Sequence, residues 1–245
     1  MRKLPQAEAL EQKAWLDARE IETPGYGVHL GYELAEWEDS VWILHSEHLD
    51  LRGFDGEYHL NLEDGVPGYV APSAEEWQRV RWSESAHRLG TTPGAKMNYP
   101  PSYHWSSRTG RPDNLIATEE GTLDEPSFVA FCDVVGLFSK PDELICYAFY
   151  GWLPANHEEV KANEYTITMF EGPLTEVFDL SRDNDRWSTT PSNFWPIDRS
   201  WFVHTNWDLS GTQVSGSAEF IAAIEANEYL ETIRWERPAS GDDNG

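Results

Sequence analysis

Basic side chains are scarce in this sequence. Its 245 residues include 18 Lys and Arg, only five of them Lys, against 43 Asp and Glu, so the formal net charge is −25. Proteins that bind nucleic acid or anionic lipid use cationic side chains to displace counterions from phosphates. The composition therefore predicts no nucleic-acid partner and no binding to a membrane surface.

Cysteine and long apolar runs are also scarce. The two cysteines, Cys132 and Cys146, are too few for a disulfide framework, and free Cys is most often a small buried hydrophobe. No apolar run approaches the 18 residues that a membrane-spanning helix needs, and the first residues do not resemble a signal peptide. We expect a cytoplasmic protein.

The sequence contains none of the short motifs that announce a known chemistry. It lacks the P-loop, the three-glycine dinucleotide fingerprint, the Gly-x-Ser-x-Gly elbow, the His-Glu-x-x-His zinc motif and the calcium-binding loop. From these absences we predict no cofactor and no metal, and whether the protein is an enzyme stays open.

Aromatic and acidic residues, by contrast, are abundant. Hydrophobic residues make up 40% of the chain and aromatic residues 13%, with twelve Trp, which predicts a large core built on indole rings. Three alternative interpretations account for the excess of acidic residues: solubility, complementarity to a basic protein partner, and imitation of nucleic acid. Because the acids are spread along the chain, imitation of nucleic acid is the weakest of the three.

The hydrophobic pattern changes near residue 140. Before it, helical spacing of apolar residues predicts helices over residues 6–20 and 33–49, and a capping box, Thr122-x-x-Glu125, opens a third, strongly apolar helix. After it, β-branched and aromatic runs predict strands over residues 144–152, 164–170 and 200–209, followed by a helix over 217–227.

These elements predict an α+β fold. A helix-rich N-terminal half, residues 1–140, would pack on a mainly antiparallel sheet formed by residues 141–236. We expect a single domain over residues 1–236 and a disordered polar tail over 237–245. The proline-rich segment of residues 91–118 is long for a loop and is expected to cover or build a site.

The predicted strand of residues 200–209 carries the candidate catalytic residues. Side chains alternate between the two faces of a strand, so His204, Asn206 and Asp208 would share one face at intervals of about 7 Å. That arrangement offers a general base, an amide and a carboxylate, as a hydrolase or transferase requires. The alternative is the polar solvent face of an antiparallel sheet.

Two further motifs flank this strand. Ser215, Gly216 and Ser217 join a strand to a helix, where free amides either bind an anion or are capped by the Ser217 hydroxyl. Before the strand, the motif that contains Trp195, Asp198, Arg199 and Trp201 predicts a structural clasp, in which an arginine pairs with a carboxylate and stacks on an indole.

The chain resembles a family of uncharacterised bacterial proteins, common in actinobacteria, that has no assigned activity. The resemblance spans about residues 28–236 and rests on blocks at residues 80–84, 120–123, 146–152, 165–174, 191–201 and 212–219. Such relatives usually carry Thr and Gly-Gly-Ser where this chain has Val214, Ser215 and Gly216. Since the family has no known mechanism, the resemblance implies no catalytic residue.

Two functional hypotheses follow. The first is a non-enzymatic binding or accessory protein, such as an acidic inhibitor or immunity-type protein that neutralises a basic partner. The alternative is a small-molecule-binding protein, a hydrolase or a transferase that uses the polar strand face around His204, beneath the segment of residues 91–118. The oligomeric state stays open.

Overall fold

An eight-stranded antiparallel sheet is the centre of the described structure. The computed structural model describes residues 1–19, 32, 36–52, 60–61, 66–67, 74–89, 100–101, 115–116, 120–140, 142–150, 167–183 and 186–235. The strands of the large sheet, named in chain order among all strands, are β1 (Arg2–Lys3), β2 (Asp39–Leu44), β8 (Ile145–Tyr150), β9 (Ile167–Gly172), β12 (Asn193–Pro196), β13 (Phe202–His204), β14 (Gly211–Gly216) and β15 (Thr232–Ile233). Their spatial order is β1-β9-β8-β12-β13-β14-β2-β15.

Smaller sheets, five α-helices and two 3₁₀-helices, Ala74–Glu76 and Leu174–Glu176, complete the described elements. The remaining strands are β3 (Glu47–Asp50), β4 (Leu60–Asn61), β5 (Val66–Pro67), β6 (Trp77–Val80), β7 (Leu115–Ile116), β10 (Arg182–Asp183) and β11 (Arg186–Trp187). The helices are α1 (Gln6–Asp17), α2 (Trp82–Leu89), α3 (Glu125–Phe138), α4 (Val177–Leu180) and α5 (Ala218–Glu225). β3 pairs with β6 and β7, β4 with β5, and β10 with β11.

The predicted division into a helical half and a sheet half is wrong. Helices and strands do combine in one fold, but the large sheet takes β1 and β2 from the N-terminal region, and helices occur in both halves. β2 lies between β14 and β15 and pairs with both of them. The N-terminal region therefore supplies part of the sheet itself, because a strand can find its partners anywhere along the chain.

The helix predicted over residues 33–49 is the clearest single error. Its described part forms β2 and β3, and residues 33–35 lie outside the described part of the chain. The side chains of residues 41–44 are all buried, two on each face of the sheet. A short apolar run that is covered on both faces is typical of a central strand, and its spacing also fits a helix.

Other predicted elements are confirmed. Helices occur at α1, α3 and α5, and antiparallel strands at β8 and β9 match the runs predicted over residues 144–152 and 164–170. The strand predicted over residues 200–209 is shorter, since β13 ends at His204. The tail of residues 237–245 lies outside the described residues.

The main core fills the space between one face of the large sheet and helices α3 and α5. Phe128 and Phe131 of α3 contact Phe194 of β12, with ring centroids about 6 Å apart. Phe220 of α5 contacts Trp201, the residue that precedes β13. All of these rings are buried, so the abundant aromatic residues form the core that composition predicts.

The opposite face of the sheet is covered in part by α1. Trp15 of α1 packs against Trp195 of β12 and Phe202 of β13, with ring centroids 5.2 and 5.9 Å apart. Leu16 is fully buried in the same cluster. No helix among the described residues is long and apolar enough to cross a membrane.

Candidate functional site

The three candidate catalytic residues do not share a strand face. Only His204 belongs to β13, and a turn at residues 207–208 follows soon after it. Asn206 is buried and its side-chain oxygen accepts a hydrogen bond from the backbone amide of Asp208 at 3.0 Å. Asn206 thus stabilises a local turn, and the alternation that would align it with His204 is lost.

Asp208 lies at the edge of this turn, half-buried, close to a second carboxyl group. Burial raises the pKa of Glu120 above its ordinary value, and the nearby charge of Asp208 raises it further. Glu120 precedes Gly121 and Asp208 precedes Leu209. The Gly121 amide donates a hydrogen bond to the Leu209 carbonyl at 2.9 Å, which joins these two segments.

The turn before α5 is a capped helix N-terminus. The Ser217 hydroxyl accepts a hydrogen bond from the Phe220 amide at 3.2 Å, and a carboxylate oxygen of Glu38 accepts one from the Ala218 amide at 3.0 Å. Glu38 therefore already supplies the negative charge that this end of a helix favours. Ser215 and Gly216 are buried within β14, behind the cap.

The predicted clasp is divided between the two faces of the sheet, although Arg199 and Trp195 both pack on the Trp15 ring of α1. Trp195 and Trp201 lie on opposite faces of the large sheet, each in a different hydrophobic cluster. Arg199 stacks on Trp15, its guanidinium carbon 4.4 Å from the ring centroid. Asp198 accepts a hydrogen bond from the Ser200 amide at 3.0 Å. The arginine therefore attaches this turn to α1.

A buried polar patch occupies the face of the sheet that α1 covers only in part. We define the polar patch as Trp42 of β2, Asn193 of β12, His204 of β13, and Gln213 and Ser215 of β14. Asn193 pairs with His204, His204 with Gln213, and Gln213 with Trp42, so these side chains project from the same face on adjacent strands. At strand spacings of about 4.8 Å, the patch spans about 14 Å.

Each side chain of the polar patch is at most 5% exposed, yet several of its polar atoms have no partner. His204 Nδ1 donates a hydrogen bond to Asn193 Oδ1 at 2.8 Å, which fixes both rotamers. Asn193 Nδ2, Gln213 Oε1, Ser215 Oγ and Trp42 Nε1 make no hydrogen bond with any of the residues that the structure describes. Other buried side-chain atoms without a partner among the described residues include Trp15 Nε1, whose ring packs on Trp195 and Phe202 of the same face, and the hydroxyls of Ser85 and Ser139.

This clustering is energetically unusual. More than nine in ten buried polar groups in native proteins have a partner, and each one that lacks a partner costs about 1–3 kcal/mol. Four such atoms on neighbouring strands of one sheet face amount to a concentrated loss of hydrogen bonding. A bound ligand or ordered water molecules would recover that loss.

Aromatic and proline residues border the polar patch. Tyr32 packs edge-on against His204, with ring centroids 4.8 Å apart. At the other end, Pro101 lies against Gly211 on the side of Trp42, and its carbonyl accepts a hydrogen bond from the Ser210 amide at 2.8 Å. Pro101 belongs to the segment of residues 91–118, most of which lies outside the described residues.

Sequence reasoning identified His204 and Ser215 but missed Trp42, Asn193 and Gln213. Trp42 lies more than 150 residues before Asn193 and Gln213 along the chain, and the three come to one face of the sheet only through strand pairing. The local sequence contained no signal for them: Gln213 lies in the largely polar run Gly-Thr-Gln-Val-Ser-Gly, and Asn193 follows a serine.

Neither cysteine offers a reactive thiol. Cys132 and Cys146 are buried in different clusters, and burial raises the pKa of Cys146 to about 12. Within the described ranges, no three His, Cys, Asp or Glu side chains are placed to hold a metal ion.

Comparison with known protein families, with curated proteins and with solved structures finds no match for this chain. The resemblance to uncharacterised bacterial proteins stays a prediction. The polar patch is therefore interpreted from its own geometry.

Proposed function

We propose that this protein binds a small molecule at the polar patch. The observation that supports the proposal is the set of four buried, unpartnered polar atoms on one sheet face, on Trp42, Asn193, Gln213 and Ser215. Small-molecule sites are mostly apolar and carry a few polar groups that fix the orientation of the ligand. The polar patch, bordered by Tyr32 and Pro101, has this composition.

The effect of Ser215→Ala on the free energy of unfolding tests whether the Ser215 hydroxyl lacks a partner in the ligand-free protein. In the ligand-free protein the Ser215 hydroxyl is buried without a partner, so Ser215→Ala should raise the free energy of unfolding by about 1 kcal/mol. In the liganded protein the same change should remove a hydrogen bond and weaken binding. Chemical denaturation of extensively dialysed protein measures the first effect, and native mass spectrometry of freshly purified protein measures retention of the ligand.

Ser181 provides the matched control. Its side chain is equally buried, but its hydroxyl donates a hydrogen bond to the Val177 carbonyl at 3.0 Å. Ser181→Ala should therefore lower the free energy of unfolding by about 1 kcal/mol. If both alanine variants lose stability equally, the Ser215 hydroxyl is already satisfied in the ligand-free protein by bound water, and the proposal fails.

The charge supports a second proposal, that the protein neutralises a basic protein partner. A net charge of −25 attracts cationic surfaces over long range, and many acids such as Asp133, Asp142 and Glu228 are exposed. Capture from a bacterial extract should then yield a basic protein that 1 M NaCl releases, since this salt reduces the screening length to about 3 Å. Gln213→Leu should leave capture unchanged, and absence of any salt-released basic protein would exclude this second proposal.

A further inference from the structure

His48 lies in the small sheet of β3, β6 and β7, directly opposite an arginine. In the strand register it faces Arg79 of β6 on one side and Ile116 of β7 on the other. Its ring packs edge-on against Trp77 of β6, with ring centroids 5.0 Å apart. A half-buried imidazole, which can take up a proton, is therefore the cross-strand neighbour of a permanent cation.

Arg79 attaches this small sheet to α3 and to the segment that follows α5. Its Nη2 donates hydrogen bonds to the Ser127 hydroxyl at 3.0 Å and to the Tyr229 carbonyl at 3.2 Å. Its Nε donates to the Ser46 hydroxyl and lies 3.7 Å from the Asp124 carboxylate. A new charge beside Arg79 therefore acts directly on the contacts that attach the small sheet.

The surroundings of His48 disfavour its protonated form. Burial lowers the pKa of His48 below its ordinary value of 6.5, the nearby Asp124 carboxylate opposes this change, and the Arg79 guanidinium adds to it. Asp124 already accepts hydrogen bonds from two hydroxyls and a backbone amide. Asp50, two residues along β3, is paired with Arg52, whose Nη2 lies 2.6 Å from the carboxylate. Both carboxylates are thus already engaged, and β7 contributes only leucine and isoleucine.

Protonation of His48 would place two cations directly opposite each other on neighbouring strands, an arrangement that destabilises a sheet. Above a pH of about 6.5 the imidazole is neutral in the folded and the unfolded chain alike, so it causes no loss of stability. As the pH falls below this value, the unfolded chain binds the proton before the folded chain does. The folded form therefore loses stability until the pH passes the lowered pKa of His48.

We propose that His48 is a pH switch, which keeps the small sheet of β3, β6 and β7 attached to α3 at neutral pH and releases it in mild acid. The opening is local. Phe128 and Phe131 hold α3 to the large sheet through buried ring contacts with Phe194, and His48 takes no part in them. The small sheet therefore opens while α3 and the large sheet stay folded.

Hydrogen exchange followed by mass spectrometry tests the switch, with rates corrected for the intrinsic effect of pH on exchange. Between a pH of about 7.5 and a pH of about 5, exchange in peptides that contain β3 and β6 should accelerate about threefold or more relative to peptides from α3. His48→Phe keeps an aromatic ring against Trp77 but cannot bind a proton, so it should abolish this acceleration. His87→Phe is the matched control, since His87 is exposed on α2, and it should leave the acceleration unchanged.

The other histidines are present in both the unmodified protein and His48→Phe, so the difference between the two reports on His48 alone. Equal acid responses of the two proteins would overturn the inference. So would equal loss of protection in α3 and in the small sheet, because acid would then unfold the whole protein. NMR titration of the His48 ring in the unmodified protein provides a test that needs no variant: a pKa below 6.5 is expected, and a value at or above 6.5 excludes the switch.

Discussion

Replacement of Gly121 by alanine should lower the free energy of unfolding by about 3 kcal/mol. Gly121 has a φ of +74°, a conformation that side chains with a Cβ atom disfavour. A Cβ at this position would lie 2.6 Å from the Cα of Trp207, so the backbone of one of the two turns has to move. Urea denaturation followed by tryptophan fluorescence measures the loss.

Hydrogen bonds at Gly121 and Thr122 connect this turn to other segments, so the loss of stability should not be confined to one turn. The Gly121 amide donates a hydrogen bond to the Leu209 carbonyl, and the following residue, Thr122, accepts one from the Thr190 amide through its hydroxyl. Displacement of the backbone at Gly121 would therefore disturb the connection that leads from the end of β13 into β14. We expect weaker ligand binding at the polar patch as a secondary consequence.

Gly136 is the matched control for this substitution. It lies in the interior of α3, and the nearest atom to an added Cβ is a Leu174 methyl group at 4.0 Å. Gly136→Ala should raise the free energy of unfolding by about 0.5–1 kcal/mol, since alanine loses less backbone entropy in a helix. A stability loss at Gly136, or none at Gly121, would contradict the argument.

Replacement of Asp124 by alanine is the second substitution with a large expected effect, a loss of about 3 kcal/mol. Asp124 caps α3 by accepting a hydrogen bond from the Ser127 amide, and it also accepts hydrogen bonds from the hydroxyls of Ser127 and Ser46. Arg79 Nε lies 3.7 Å from its carboxylate and donates to Ser46. Removal of the carboxylate would leave these partly buried partners uncompensated.

The hydrogen bonds of Asp124 also connect two separate parts of the fold. Ser46 precedes β3, Arg79 belongs to β6, and Asp124 starts α3, so the carboxylate joins the small sheet to the helix that covers the main core. Arg79 also stacks on the Tyr229 ring, with its guanidinium carbon 4.3 Å from the ring centroid. Thermal unfolding monitored by circular dichroism should show a lower midpoint in Asp124→Ala.

Asp198 serves as the control aspartate. It is exposed, accepts a hydrogen bond from the Ser200 amide, and lies 3.6 Å from Lys140 Nζ. Because solvent screens exposed ion pairs, Asp198→Ala should change the free energy of unfolding by no more than about 1 kcal/mol. Equal effects at the two aspartates would show that the Asp124 network adds nothing beyond a turn cap.

Local sequence signals succeeded where one helix or hairpin decides the structure. The apolar run that follows residue 124 predicts α3, and the Ser217 hydroxyl caps α5 as its position before an apolar run suggests. Even there, contacts with residues distant in the sequence decide which side chain caps the helix. Thr122, expected to cap α3, instead bonds to Thr190, and Asp124 takes the capping position.

Local signals failed where the same pattern suits two structures. The buried run of residues 41–44 has apolar residues on both sides, so its spacing fits a helix stripe and a central strand alike. Pairing with β14 and β15 selects the strand, and those partners lie more than 150 residues away. Likewise, the alternation predicted after His204 ends because Asn206 forms a turn with the Asp208 amide.

The amino-acid sequence by itself determined the aromatic core, the large excess of acidic residues, the helices α3 and α5 and the strands β8 and β9. These depend on composition or on contacts between neighbouring segments of the chain. Only the tertiary structure placed β2 within the sheet and brought Trp42, Asn193 and Gln213 to one face beside His204 and Ser215. The reason is that strand register couples distant segments, and burial then decides which polar atoms are left without a partner.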